Sequence, residues 1–269
     1  MHPLTLPEAA LHVLPNVLLF DGGRYVVGAG GFALLGLALM RSRWAVRKIQ
    51  ARSATGADIA RELATSLRSV FVYAALFTPV LWAKSNGYAA PALAHASGPV
   101  VAAYVAVLLV AHDGWFYWMH RLLHDPRLFK RWHRTHHRSV TPTPFAAYAF
   151  DWREAVAEAG FFALWQLIVP TPWLALFIVL GLSILRNAWG HLGIELHPVW
   201  FADHPVFGLL TTTTHHDLHH AGRFDRNYGL YFTWWDRLMG TEHPRYRAIF
   251  REVAGRPPAA RRGATEQAA

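Results

Sequence analysis

The residues with the clearest chemical potential are histidines in three short runs: His120-Arg-Leu-Leu-His124, His133-Arg-Thr-His136-His137 and His216-Asp-Leu-His219-His220. On a helix, positions three or four apart share a face, so HxxxH aims two imidazoles at one point. In HxxHH the first histidine joins the other two, while the adjacent pair splays enough to serve two metals. The chain has 17 His and no Cys, which excludes disulfides, thiolate metal sites and cysteine nucleophiles. Any metal must therefore be held by His, Asp or Glu. The clustered histidines exceed what one octahedral ion can use. Two metals fit them better, with His191 as a further ligand.

Neutral imidazole suits Zn, Fe, Cu and Ni alike. A structural zinc would use a closed set of four ligands, whereas a binuclear histidine site at the inner end of lipid-facing helices suits iron and dioxygen chemistry on an alkyl chain. Two rival classes fit less well. A binuclear phosphoesterase, prompted by His112-Asp113, would mix several bridging carboxylates with its histidines, yet only Asp113, Asp125 and Asp217 stand near the runs. A non-enzymatic metal transporter would place its ligands at mid-membrane depth or in a long loose loop. Outside the runs, His2, His12, His95 and His243 read as interfacial or solvated, and His197 and His204, each before Pro, as loop residues. His112 and His215 read as hydrogen-bonders behind the ligands or as extra ligands.

These side chains need a scaffold, and the composition points to lipid. The chain of 269 residues is 53% hydrophobic and only 16% charged, with 12 Trp and 16 Phe, yet carries a net charge of +9. That leaves too little polar surface for a soluble domain. Because Lys and Arg fall between long apolar runs, the basic balance points to a membrane surface rather than nucleic acid. Apolar stretches at 25–40, 69–83, 98–119, 154–169 and 172–190 predict an all-α polytopic bundle, and 9–20 reads as a patch lying along the interface. The first two stretches fall short of the ~20 residues a spanning helix needs and would have to extend into their flanks. Glu154, Glu158 and Gln166 make 154–169 a poor span, so 154–190 reads either as two crossings or as a shallow hairpin. The N-terminus has no basic residue before its first apolar stretch and does not read as a cleavable signal.

Charge orients the bundle. Six basic residues lie in 41–66, six in 120–138 and nine from Arg223 to Arg262, against Lys84 alone in 84–97. By the positive-inside rule these segments face the cytoplasm, so all three histidine runs reach one cytoplasmic cap. Asp125-Pro126 reads as a cap and first position of a new helix, and Thr141-Pro142-Thr143-Pro144 ends it. Three segments follow: 1–97, membrane helices with a basic loop; 98–245, the metal domain; and 246–269, a basic tail without ordered structure.

Asp113, Tyr117-Trp118 and His120-Arg121, then His133 to His137, Asn187 with His191, His216 to His220, and finally Asn227-Tyr228-Gly229, Trp235-Asp236-Arg237 and Gly240-Thr241 form an ordered set. Over roughly 105–240 this set resembles the fatty acid hydroxylase/sterol desaturase superfamily of membrane di-iron enzymes. The resemblance implies two irons held by His120, His124, His133, His136, His137, His191, His216, His219 and His220, with O2 as co-substrate and a lipid as substrate. Zinc could stand in for iron in a preparation. It also implies that Asp113 orients a ligand imidazole. HxxxH is one residue shorter than in fatty acid 2-hydroxylases, and Asn187 and Glu195 flank His191 where some members carry a second His. Both features favour the sterol desaturase-like branch and leave Glu195, His197, His215 or water as a tenth ligand. Electrons are expected from a separate ferredoxin- or cytochrome b-type donor with its reductase. Trp115, Phe116 and Trp118 are expected to wall the substrate path, and a bacterial inner membrane is the expected location.

Overall fold

The computed structural model describes residues 5–222 and 224–257; His2 and the end of the tail lie outside them. The chain enters through α1 (Leu6–His12), α2 (Leu14–Tyr25), a π-helical turn at Val26–Gly30 and α3 (Gly31–Met40). Together these make one apolar rod, Leu6–Met40. Residues 9–20 are thus joined to 25–40 in one helical rod rather than forming a separate element. The second span, α4 (Gly56–Ser85), is also longer than its apolar stretch. A capping box between Thr55 and Asp58 starts it well before the hydrophobic residues begin. At about 1.5 Å per residue, α4 outreaches the ~30 Å hydrocarbon core, so its polar first turns stand in the cap.

The short β1 (Ala92–Leu93) lies in the loop before α5 (Gly98–Leu123), the third span. Beyond it the cap begins with α6 (Pro126–Trp132), where Asp125 accepts from Arg127 N and Pro126 opens the first turn, and α7 (Arg134–His137) follows. Helix α8 (Trp152–Ile168), capped by Asp151, returns through the bundle to β2 (Thr171–Pro172), and α9 (Trp173–Gly190) comes back to the cap. Among the described residues, four helical segments, Leu6–Met40, α4, α5 and α9, are long and apolar enough to cross a membrane.

α8 falls outside that set by length and composition, yet the hairpin is not shallow. β2 pairs in parallel with β1, Ala90 N donates to Leu167 O, and Lys84 Nζ donates to Gln166 O at 3.0 Å. The α8–α9 turn therefore sits level with the loop at the far ends of α4 and α5. Large apolar side chains such as Leu19, Val27, Leu34 and Ile168 stay exposed around the bundle, as a lipid-facing belt requires.

The cap is completed by α10 (Thr213–His220), α11 (Trp234–Leu238) and α12 (Tyr246–Ala254). Helix α12 corrects the expected loose tail from 246. Its Tyr246, Phe250 and Ala254 are buried against Phe201 and Ala202, a one-face periodicity hidden among the arginines between them. The basic segment after α3 lies on the cap too: Gln50 Nε2 donates to Asp217 Oδ1 at 3.1 Å, and Arg256 donates to Lys48 O.

Candidate metal centre

The eight histidines singled out by spacing, together with His191, lie in two groups. His120, His124, His133, His137 and His219 form the first, and His136, His191, His216 and His220 the second; within each, the ligand-capable atoms lie within 4.8 Å of one another. The helical spacing explains the division. His133 and His137, four apart, stay in the first group while His136 turns to the second. His216 and His220 stay in the second while His219 turns to the first. Each HxxHH run thus sends its i+3 histidine across to the other group, rather than pointing all three at one place. HxxxH supplies His120 and His124 to the first group, and His191 joins the second as the residue that ends α9.

Proton placement tells what the groups can bind. His120 Nδ1 faces the Tyr228 carbonyl at 3.0 Å and His133 Nδ1 faces Glu154 Oε1 at 2.5 Å. The Tyr228 carbonyl requires the proton on His120 Nδ1, and Glu154 as a carboxylate requires it on His133 Nδ1, which leaves each Nε2 as a bare lone pair. Yet these two Nε2 atoms lie 3.0 Å apart. The second group repeats the pattern: His191 Nδ1 donates to Asn187 O at 2.8 Å, His220 Nδ1 donates to Ser139 O at 3.0 Å, and their Nε2 atoms lie 3.3 Å apart. His219 donates through Nδ1 to Arg226 O at 2.7 Å, and its buried Nε2 has no partner among the described residues. Lone pairs facing one another at such distances repel unless a cation stands between them. A ligand sphere with metal–nitrogen bonds of about 2.0–2.1 Å separates neighbouring donors by about 3 Å, as seen here. The donor set therefore fits two metal ions.

Electrostatics agrees. Burial, reinforced by neighbouring rings, holds His133, His136, His137, His216, His219 and His220 well below the ordinary imidazole range. Burial also pushes His191 down to about 4, partly opposed by its bond to Asn187. Neutral rings at pH 7 are ready ligands.

The closing motif acts from behind. Asp236 accepts from Tyr228 N and Gly229 N, both at 2.9 Å, and from Thr241 Oγ1 at 2.7 Å, so it fixes the Tyr228 carbonyl that orients His120. Gly229 is required there, because a Cβ would stand 2.3 Å from Phe232 O. Asp113 orients no imidazole, contrary to expectation. It accepts from Tyr231 N, Phe232 N and Trp234 Nε1 and holds the same loop one step further back. His112 Nδ1 pairs with Tyr231 OH at 2.9 Å, outside both groups.

The proposed tenth ligands are engaged elsewhere. Glu195 accepts from Thr214 N at 3.0 Å and from His197 Nδ1 at 2.6 Å, which ties down the start of α10. His215 faces Asp236 and packs on Tyr246. Asn187 contributes through its backbone carbonyl, while its side chain donates to Ala147 O. Glu154 was not foreseen as a histidine partner; its signal was a carboxylate in an otherwise apolar arm. Of the expected wall residues, Phe116 is buried with its ring centroid 5.0 Å from His120, while Trp115 and Trp118 face outward.

Comparison with known proteins points the same way. The family model described as fatty acid hydroxylase matches residues 105–241. A Delta(7)-sterol 5(6)-desaturase of Aspergillus fumigatus is 30% identical over 204 residues, 72% of this chain and 56% of that protein. Lathosterol oxidase of Rattus norvegicus is 37% identical over 134 residues, 49% of this chain and 42% of that protein. Methylsterol monooxygenase 1 of Rattus norvegicus is 34% identical over 136 residues, 49% of this chain and 44% of that protein. The chain spans about half the length of the curated relatives it matches. No solved structure matches it. With its two histidine groups inside the matched region, the chain belongs to the fatty acid hydroxylase family, in its sterol desaturase-like branch.

Proposed function

We propose that this chain is a membrane oxidoreductase that uses two irons and O2 to hydroxylate or desaturate a lipid. The observation that carries the proposal is the pair of opposed Nε2 lone pairs, one in each histidine group, which calls for two cations. The relatives named as desaturase, oxidase and monooxygenase support oxidation as the reaction class. When bound, iron would supply O2-dependent oxidation of an unactivated C–H bond; zinc can occupy the same imidazoles in a preparation. The protein's part is to hold nine neutral rings, fix the tautomers of five of them through carbonyls and Glu154, and keep water away.

An apolar cavity of about 550 Å³ lies among α1, α2, α4 and α9, lined by residues that include Val17, Phe77, Leu176 and Leu180. It falls within the roughly 300–1,000 Å³ usual for small-molecule sites, and its apolar lining suits a lipid. Exposed Arg127, Lys130, Arg131, Arg134 and Arg138 surround the cap beside the first group. They suit the docking of an acidic electron carrier of ferredoxin or cytochrome b type, served by its reductase. By the positive-inside rule this face is cytoplasmic, in a bacterial inner membrane.

Purified protein supplied with iron, reductant and O2 is predicted to add one oxygen to a lipid or remove two hydrogens from it, read by mass spectrometry. Turnover of a phosphoester without O2 would refute the proposal in favour of a hydrolase. Metal-dependent transport without any lipid conversion would favour a carrier.

A further inference from the structure

The connection between α9 and α10 carries large apolar side chains that stay exposed. Trp200, Val206, Phe207 and Leu210 are among them, Val206 at 63%, and so is Leu238 of α11, at 72%. They belong to one surface. The rings of Trp200 and Phe207 lie 5.7 Å apart, and Arg237, next to Leu238, donates to Gly208 O. Residues 198–210 contain no Lys or Arg. Their one carboxylate, Asp203, pairs with Arg247 and Arg251 of α12, so its charge is drawn toward the cap. A bare apolar patch of this kind marks a contact with protein or lipid.

Its depth decides between them. On α5, His120 meets the Tyr228 carbonyl, whereas Asp113 accepts from Tyr231 N and Phe232 N. Asp113 lies about 10 Å farther from the cap end of α5 than His120 does, so the chain from Tyr228 to Phe232 climbs into the bundle beside that helix. Counted from Gly98, Asp113 is about 22 Å along α5, inside the ~30 Å thickness of the hydrocarbon core. Phe232 forms an antiparallel bridge with Leu210, and Thr233 N donates to Leu209 O at 2.7 Å. Residues 207–210 therefore sit at the level of Asp113. Arg186 of α9 reaches the same place, its Nε donating to Leu230 O at 3.1 Å and its NH2 to Thr211 O.

Non-helical backbone at membrane depth is tolerated only where the protein itself satisfies its polar groups. Here it does. Asp113 takes two N–H groups and Arg186 supplies two carbonyls. Thr211 N donates to Tyr231 O at 3.0 Å, and Gly208 O receives Thr233 Oγ1 at 2.9 Å. The N–H groups of Gly208, Leu209 and Leu210 close short turns onto His204, Val206 and Phe207. A loop in water has no need of such shielding, because solvent can serve its backbone. The lipid-facing belt also runs onto this surface: exposed Trp118 of α5 has its ring 6.0 Å from that of Trp235 in α11. A soluble protein approaching the cap would not reach this level.

We propose that residues 198–210 and the end of α11 form a re-entrant ledge embedded in the cap-side leaflet, with Trp200, Val206, Phe207, Leu210 and Leu238 against lipid acyl chains. The ledge lies between His191 and His216 in the chain, so it fixes the depth of the second histidine group in the bilayer. This goes beyond lipid oxidation and is independent of the reaction.

The sequence has no cysteine, so single cysteines can report on the ledge. Full-length Val206→Cys, Phe207→Cys and Leu238→Cys, each labelled with a bimane fluorophore, are reconstituted with metal in vesicles of phosphatidylcholine and phosphatidylglycerol. Leu34→Cys, in the exposed belt of α3, and Arg131→Cys, on the cap, serve as references. Emission is read with phosphatidylcholine bearing a nitroxide near the head of its acyl chain, and separately with iodide on both sides of the membrane. We expect the ledge positions to lose most of their emission to the nitroxide lipid, as Leu34→Cys does, and to be indifferent to iodide, with Arg131→Cys showing the reverse. Metal content equal to that of wild type shows that each variant is folded. Val206→Cys and Leu238→Cys remove largely exposed side chains, so they keep the comparison decisive if Phe207→Cys does not fold. Quenching of the ledge positions by iodide would overturn the proposal by placing them in water. Shielding from both quenchers would overturn it by placing them against protein, and energy transfer between labelled copies would then identify that protein as a second copy of this chain.

Discussion

At the scale of single residues, metal binding turns on which nitrogen of each imidazole carries the proton. Carbonyls of Tyr228, Asn187, Ser139 and Arg226 take the Nδ1 protons of four rings, and Glu154 takes that of His133. Glu154→Gln should keep the fold but weaken metal retention by roughly 10–100-fold, the usual effect of losing a partner behind a ligand. Competition with a chelator would measure it. The two groups should respond unequally to ligand loss. His136→Ala leaves three rings in the second group, whereas His219→Ala leaves four in the first, so His136→Ala should release its metal more completely in elemental analysis. Acid should also act here. The rings are held below their unfolded value of about 6.5, so between that value and the folded one the unfolded chain binds more protons. The stability of the metal-free protein is therefore full above about pH 6.5 and is lost as pH falls toward the range of His191, about 4. Thermal melting across pH would show it, and a melting temperature indifferent to pH would contradict the burial of neutral rings.

At the scale of elements, most of the site was legible because helices turn spacing into direction. The i, i+4 pairs were readable as shared faces, and the proline and aspartate before α6 as a helix start. What sequence spacing did not yield was the exchange of His136 and His219 between groups, which depends on how α7 and α10 face each other. For Asp113, a buried carboxylate before a histidine run suggests an imidazole partner, while its true donors lie in the loop over 100 positions later. Glu195 was left open for the same reason, since its bond to Thr214 is a tertiary contact. The loop held by Asp236 supplies a test. Gly229→Ala must push against the Phe232 carbonyl, and overpacking of this kind costs roughly 1–3 kcal/mol. Denaturant unfolding should show that loss, with weaker metal retention because the Tyr228 carbonyl moves from His120.

At the scale of the whole molecule, the sequence conveyed five apolar stretches where four helical segments among the described residues are long and apolar enough to cross, and it conveyed the cap on which positive charge gathers. It understated the reach of the first two spans, since polar first turns and a capping box extend helices beyond their apolar residues. It also hid α12, whose arginines mask one buried face. The absence of cysteine from the sequence makes topology directly testable. A cysteine placed at exposed Arg131 should react with a membrane-impermeant thiol reagent only after the cytoplasmic face is opened. One at Tyr88, exposed in the loop of β1, should react from the outside of intact cells. The reverse pattern would place the metal cap on the wrong side for a cytoplasmic electron donor.

The central claim is that the two histidine groups hold two metal ions. Elemental analysis of purified wild-type protein, produced in iron-replete cells and normalised to protein concentration, tests it most directly. Two metal ions per chain are expected, falling to one in His136→Ala. One ion or none in the wild type, or two retained in that variant, would contradict it.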